Sequence, residues 1–337
     1  MTVRRCICLL ILVLLAGSAA CRREKKRIIG VIPKATAHLF FMSIKAGVDD
    51  AAKEAGVEYQ WNGPGEETDH ARQIQIVDAM VTQRVDAIAI SATDQTALVA
   101  PVRRAIAAGI PVTVFDSGLD VDDYVTFVAT DNYEAGQNAA RLLAGLVGGK
   151  GKVAMLMHKP GGKSTGDREK GFDEIMAKEF PNVKVVARQF GMADRAKSRA
   201  AAENILTAHP DLAGMFASAE ANSLGAIHAI RSRGMSGKLR LITFDFSDTH
   251  VEALKEGTID IMLVQDPHRI GYEALKSLTD KLSGKTPAKR MDLKVRVIEK
   301  KDLDKPEVQA LLFPEWRKKP RVTSCSSATT RNCAKTS

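Results

Sequence analysis

Residues 85–116 read VDAIAISATDQTALVAPVRRAIAAGIPVTVFD. The apolar, β-branched run 85–90 is followed by a polar turn and then by residues 96–108, whose apolar positions recur at helical spacing. Gly109 stops that helix, and a second β-branched run, 110–115, leads to Asp116. Strand, helix and strand joined by short loops make one parallel crossover unit, because parallel neighbours need a long connection.

The same alternation extends both ways. Upstream, the patterning predicts strands over 27–32 and 57–61 and helices over 41–55 and 69–83. Downstream it restarts, with strands over 125–129 and 152–157 and a helix over 133–147. Further strands are expected at 183–188, 214–217, 239–243 and 259–264, with a final one at 293–298. Helices fill the gaps at 167–179, 195–208, 223–233, 249–256 and 270–282. The expected fold class is α/β: two doubly wound parallel-sheet lobes joined by a hinge, with a ligand cleft between them. The first lobe is expected over 28–130 plus 266–292 and the second over 131–265 plus 293–314.

The ends of the chain carry a different signal. Arg4 and Arg5 precede an apolar run, 7–15, then small residues 17–20 and Cys21. This order describes a secretory signal peptide over 1–20, and the run is far short of the roughly 18–20 residues that span a bilayer. A cysteine directly after the small residues resembles a bacterial lipobox, which makes Cys21 the lipidated first residue of an exported, periplasmic protein held on a membrane. Residues 21–27 then form a basic tether near anionic headgroups, and 315–337 a disordered tail. Of the net charge of +9, Arg4 and Arg5 leave with the leader, giving +7 for the mature chain. No basic face interleaved with aromatics occurs in the body, so nucleic acid is not an expected partner. The cysteines are Cys6, Cys8, Cys21, Cys325 and Cys333, so the body has neither disulfide nor thiol catalyst.

In open α/β sheets ligands bind beyond the carboxyl ends of the strands. The residues there are Lys34, His38, Phe40 and Phe41 after the first strand, Asp116 and Ser117 after the fourth, then Asp245 and Gln265 further on. Carboxylates accept hydrogen bonds from neighbouring hydroxyls, amides and ammonium groups supply the opposite sense, and aromatic faces cover the C–H side of a sugar ring. The set suits a polyhydroxylated ligand. His38 has no second His or Cys at ligand spacing, so no metal site is expected, and no cofactor motif occurs.

With these residues in place, the chain resembles the periplasmic sugar-binding proteins of ABC importers, the ribose-binding type. The carrying stretches are Gly30-Val31-Ile32-Pro33-Lys34 through Phe40-Phe41, the run 105–116, Thr130-Asp131-Asn132, the run 167–172, the run 206–211, Phe244-Asp245 and Gln265-Asp266-Pro267. The resemblance implies sugar-hydroxyl contacts from Asp116, Asp245 and Gln265, ring stacking from Phe40 and Phe41, and polar contacts from His38 and Lys34. Arg168 matches a common family arginine. Ser117 and Gly166 stand where the ribose pattern has arginines, Ala193 where it has an aromatic, and Ala219 where it has an amide. Ser164, Thr165, Glu220 and Asn222 are the candidate replacements, so another small sugar or related polyol is expected rather than ribose. The family's partners are ABC permease membrane subunits with their ATPase, which hydrolyses ATP; the binding protein is expected to be a monomer and to close like a hinge on its ligand.

Other classes fit less well. Gly162-Lys163-Ser164 lacks the first glycine of a phosphate-binding loop, since Met157 occupies that position. Neither a Gly-x-Ser-x-Gly elbow nor a His-Glu-x-x-His site is present, so no enzyme is expected. Repressors of the same fold need an amino-terminal helix-turn-helix where this chain has its export signal. A ligand sensor signalling to a membrane partner, for a sugar or an autoinducer-like compound, is the alternative reading.

Overall fold

The computed structural model describes residues 26–36 and 38–318. The leader, the lipidation candidate Cys21, the first part of the tether and the tail with Cys325 and Cys333 lie outside the described residues. In chain order the elements are β1 (Ile28–Ile32), α1 (Leu39–Ala55), β2 (Glu58–Trp61), α2 (His70–Gln83), β3 (Ala87–Ile90), α3 (Val99–Ala107), β4 (Val112–Phe115) and β5 (Phe127–Thr130). There follow α4 (Asn132–Leu146), β6 (Gly151–Met157), α5 (Lys163–Glu179), β7 (Val183–Phe190), α6 (Arg195–Ala208), β8 (Gly214–Ala217), α7 (Glu220–Ser232), β9 (Arg240–Phe244), α8 (Asp248–Glu256) and β10 (Ile261–Val264). The chain ends with α9 (Pro267–Leu282), β11 (Arg290–Leu293), β12 (Arg296–Ile298), a 3₁₀ turn, α10 (Pro306–Leu312) and α11 (Glu315–Lys318).

Two compact units result. Unit 1 takes the chain up to Thr130 with Gly161–Ser164 and Pro267–Leu293; unit 2 takes Asp131–Pro160, Thr165–Asp266 and the residues from Lys294 on. The unit 1 sheet runs β11-β5-β4-β3-β1-β2, all parallel. That of unit 2 runs β12-β10-β9-β8-β6-β7, parallel except for the edge strand β12. Both therefore share one doubly wound order, reversing between the first and third strands of the unit.

Strand alternation explains why helices cover both faces of the unit 1 sheet. Ile29, Val31, Ala87 and Ala89 point into one core with α1 and α9, while Ile32, Ile88, Ile90, Val112 and Val114 point into another with α2 and α3. On the first face α1 and α9 cross at glycines. A Cβ on Gly47 would lie 1.9 Å from the His268 carbonyl oxygen, and one on Gly271 2.0 Å from that of Ile44. In unit 2, Val153, Met155, Phe216, Ile242 and Phe244 pack with Ala139 and Leu143 of α4 and with Phe172 and Met176 of α5. Helix starts are set by short polar side chains: Asp69, Asp131, Asp194 and Ser247 each accept a hydrogen bond from a backbone N–H three residues on.

The structure revises several expectations. The expected final strand 293–298 is two strands: β11 pairs parallel with β5 and β12 antiparallel with β10, so one extended segment serves both sheets. Helix α5 begins at Lys163 rather than 167. Gly161–Ser164, expected in the second lobe, groups with unit 1, where the Gln95 amide donates to the Gly161 carbonyl at 2.9 Å. Residues Glu315–Lys318, expected in the disordered tail, form a helical turn because Arg317 donates to the Leu312 carbonyl and, at 2.8 and 3.0 Å, to the Asp248 carboxylate.

Candidate functional site

Each unit gathers buried polar side chains at the carboxyl ends of its strands. In unit 1 the centre is Lys34, just past β1. Its ammonium lies 3.4 Å from Glu67 Oε2, 3.3 Å from Asp116 Oδ2 and 3.4 Å from Ser164 Oγ. Ser91, just past β3, donates to Asp116 Oδ2 at 2.7 Å. Gln73 of α2 ties the strand ends together: its amide nitrogen donates to the carbonyls of Pro33 and Ser91, and its amide oxygen accepts from Thr93 N and Oγ1. Ser164 N reaches Ser117 Oγ at 3.4 Å. A buried ammonium among carboxylates is the arrangement burial requires, since an unpaired charge there costs several kcal/mol.

Asp116 itself is in left-handed backbone, φ 56°, and its N–H donates to the Val128 carbonyl at 2.9 Å. Asp245, at the equivalent end of β9, repeats this with φ 68° and an N–H bonded to Leu263 at 2.9 Å. Aspartate tolerates this region better than most residues, at a cost of about 1–3 kcal/mol that the surrounding ladder must offset. The turn lifts each carboxylate out of the strand register at the sheet end where ligands bind.

In unit 2 Gln265, after β10, donates to Asp245 Oδ1 at 2.7 Å. Arg168 of α5 is buried, donates to Asn132 Oδ1 at 2.8 Å and to the Ser218 carbonyl at 2.9 Å, and stacks 3.6 Å over the Phe244 ring. Its neighbour Glu169 accepts from His158 N and from Ser218 Oγ, both at 2.8 Å, and so joins the loops after β6 and β8. Burial pushes the Glu169 carboxyl up to about 7, against the lowering effect of those two hydrogen bonds and of Arg168. Asn222 donates to the Met157 carbonyl at 2.9 Å, while its buried Oδ1 and the buried hydroxyl of Thr165 have no hydrogen-bond partner. Buried polar atoms of this kind call for an explanation, and a hydroxylated ligand supplies one. Glu220 is buried and meets the exposed Arg195 at 3.3 Å.

Of the residues singled out in the sequence, Lys34, Asp116, Ser117 and Ser164 come together in unit 1, and Thr165, Arg168, Glu220, Asn222, Asp245 and Gln265 lie in unit 2. Phe41 is buried in the core cluster shared by α1 and α9, and the Lys34 ammonium lies 5.9 Å from its ring centroid, so the ring borders both the core and the unit 1 cluster. Phe40 is half-buried and meets Phe41 edge-on at 5.2 Å; His38 precedes α1 without a side-chain capping bond. Sequence reasoning gave no site role to Glu67, Ser91, Gln73, Asn132 or Glu169. Ser91 follows a strand end and was within reach of the same rule; Gln73, Asn132 and Glu169 are helical residues whose roles only packing exposes. Among the described residues, no group of three or more His, Cys, Asp or Glu could hold a metal ion, and no helix is long and apolar enough to cross a membrane.

Comparison with known proteins agrees with this geometry. The periplasmic binding protein domain family matches residues 29–286. The ribose import binding protein RbsB of Bacillus subtilis is 31% identical over 274 residues, covering 81% of this chain and 88% of its own. A carbohydrate transporter solute-binding protein from Agrobacterium radiobacter, solved with D-arabinose, superimposes with a TM-score of 0.83 at 30% identity, covering 86% of this chain and 99% of its own. An ABC transporter solute-binding protein from Agrobacterium vitis, bound to α-D-tagatopyranose, gives 0.82 at 32% identity, covering 85% and 99%.

Proposed function

This chain belongs to the periplasmic binding protein domain family, as a sugar-binding protein of the ribose-binding type, and from that premise we propose that it captures a small sugar or related polyol for ABC import. The observation that carries the reading is the matched pair Asp116 and Asp245. Each stands at the carboxyl end of the fourth strand of its unit, in left-handed backbone, with one carboxylate oxygen engaged by a neighbouring donor. A carboxylate oriented in this way accepts from sugar hydroxyls, and charge-assisted bonds of this type contribute about 1.5–3 kcal/mol each. Arg168, Asn222, Thr165 and Gln265 in unit 2, and Lys34, Ser117 and Ser164 in unit 1, supply the donors and acceptors for the remaining hydroxyls. Ligand contacts to both units favour the closed arrangement by their differential affinity.

The work is binding rather than catalysis. The loaded protein hands its ligand to permease subunits, and the partner ATPase hydrolyses ATP. Cys21, following the export signal, carries the lipid that keeps the mature chain at a membrane; loss of fatty-acid labelling in Cys21→Ala tests that part. For the ligand, the soluble form beginning at residue 22 is melted against pentoses, hexoses, hexitols and inositols. A specific ligand raises the melting temperature with its excess over Kd. Asp116→Ala and Asp245→Ala are each expected to weaken that ligand roughly 10–100-fold. A panel in which no neutral polyol raises the melting temperature overturns the reading.

A further inference from the structure

We propose that Gln73 is a positioning residue of the unit 1 site, which sets ligand affinity through Asp116 by fixing the ends of β1 and β3. The inference rests on the sugar-binding reading above. Helix α2 turns Gln73, Ile76, Val77 and Met80 inward. The last three join the apolar core, whereas the first is a glutamine with no exposed surface; Gln75, two residues on, is exposed. Glutamine is seldom fully buried, and one on an apolar stripe needs partners for its whole amide.

Those partners are all strand-end groups. An amide has two N–H donors and an oxygen with two lone pairs. Gln73 Nε2 donates to the Pro33 carbonyl at 3.1 Å and to the Ser91 carbonyl at 2.8 Å, and Oε1 accepts from Thr93 N and Thr93 Oγ1, both at 2.8 Å. Every position is used. The orientation of the amide is fixed as well, since a carbonyl only accepts and a backbone N–H only donates. The β1–β3 ladder stops at the pair Ile32–Ile90, and the next residue, Pro33, has no N–H to continue it. The Gln73 amide takes over at that point and joins the two strand ends.

What the joint holds is the surroundings of Asp116. The Ser91 main chain is tied on both sides: its N–H donates to the Ile32 carbonyl at 2.9 Å, and its carbonyl accepts from Gln73. This aims the Ser91 hydroxyl at Asp116 Oδ2, 2.7 Å away. Lys34, the residue after Pro33, meets the same oxygen at 3.3 Å. Both contacts engage Oδ2, which turns Oδ1 toward a ligand hydroxyl. Gln73 has no surface of its own to offer a ligand, so it acts only through these neighbours.

The test is a double-mutant cycle read by calorimetry on the soluble form beginning at residue 22. The probes are D-ribose, D-arabinose, D-allose, D-tagatose and xylitol, and the tightest binder is followed through the variants. Gln73→Met keeps the length of the side chain without its polar atoms. It is expected to weaken binding about 10-fold in the wild-type background and by under about 2-fold in the Asp116→Ala background. Gln73→Glu still accepts from Thr93 but offers no N–H to the two carbonyls; it should show the same pattern and decides the matter if Gln73→Met does not fold. Ser91→Ala, which keeps the main-chain partners of Gln73, should weaken binding about 3–10-fold, again only where Asp116 is present. A side chain that only supports the fold lowers affinity by the same factor in both backgrounds. That result, or an unchanged affinity in a folded Gln73 variant, overturns the inference and leaves the sugar-binding reading standing. A wild type that binds none of the probes overturns both.

Discussion

Replacing Glu169 by Gln should flatten the pH dependence of unit 2 stability. In the native chain burial lifts the Glu169 carboxyl from 4.5 to about 7. At about 1.4 kcal/mol per unit, that difference amounts to about 3 kcal/mol. Because the folded value lies above the unfolded one, the contribution is fully present below pH 4.5 and is lost as pH rises through about 7. Glutamine carries no proton to lose. Its amide oxygen still accepts from His158 N and Ser218 Oγ, while its NH₂ adds a cost that is the same at every pH. Wild type and variant should therefore differ by an offset at pH 5 that moves by about 2.5 kcal/mol in favour of the variant by pH 8, the rest having been lost below pH 5. For a unit of this size that is roughly 5–10 °C in relative melting temperature. Thermal melts of both proteins at pH 5, 6, 7 and 8 measure it. The comparison must be between the two proteins, because His250 in the same unit titrates in the opposite sense and partly masks the wild-type slope. Curves that stay parallel from pH 5 to 8 would refute the assignment of a buried, proton-holding carboxyl at Glu169.

Burial holds His250 down to about 3, well below its ordinary 6.5, and so it contributes stability above pH 6.5 that is lost as pH falls toward 3; His250→Gln should move the acid unfolding midpoint, followed by circular dichroism, to lower pH. Gly271→Ala forces a Cβ to 2.0 Å from the Ile44 carbonyl oxygen at the α1–α9 crossing and should cost about 1–3 kcal/mol by urea unfolding; an unchanged midpoint would show that the helices move apart freely. Arg168→Lys keeps the charge but loses the fork that reaches both Asn132 Oδ1 and the Ser218 carbonyl, and the stack on Phe244. It should lower the unit 2 melting free energy by about 1–3 kcal/mol, and equal melts would exclude that role.

Much of the fold is legible in local pattern. Alternating apolar positions in strands such as 87–90, where Ala87 and Ala89 face one core and Ile88 and Ile90 the other, announce a sheet covered on both faces. The restart of strand–helix alternation, read from residue 125, announces a second sheet, although the first strand of that restart, β5, pairs with β4 in the first sheet. Helix starts show where a short polar residue precedes an apolar stripe, as at Asp131 and Asp194. The split of 290–298 into β11 and β12 was not legible: an extended run looks the same whether it pairs with one sheet or two, and only the partners β5 and β10 distinguish them.

The same division runs through the site. Asp116 and Asp245 stand out in the chain because each follows an apolar strand, and the rule that ligands gather beyond strand ends needs only the order of elements. Their left-handed backbone and the donors Ser91 and Gln265 come from strands brought alongside by the sheet. Phe41 reads like its neighbour Phe40, yet the helix phase buries it in the core. Glu66 and Glu67 are adjacent copies of one residue, the first exposed and the second buried against Lys34. The sequence by itself determined the two sheets, their helices and the strand-end carboxylates, because these follow from local periodicity and order. Tertiary structure alone decided which charges were withdrawn from water and paired, because burial depends on the approach of segments distant in the chain, such as Gly63 on Pro33.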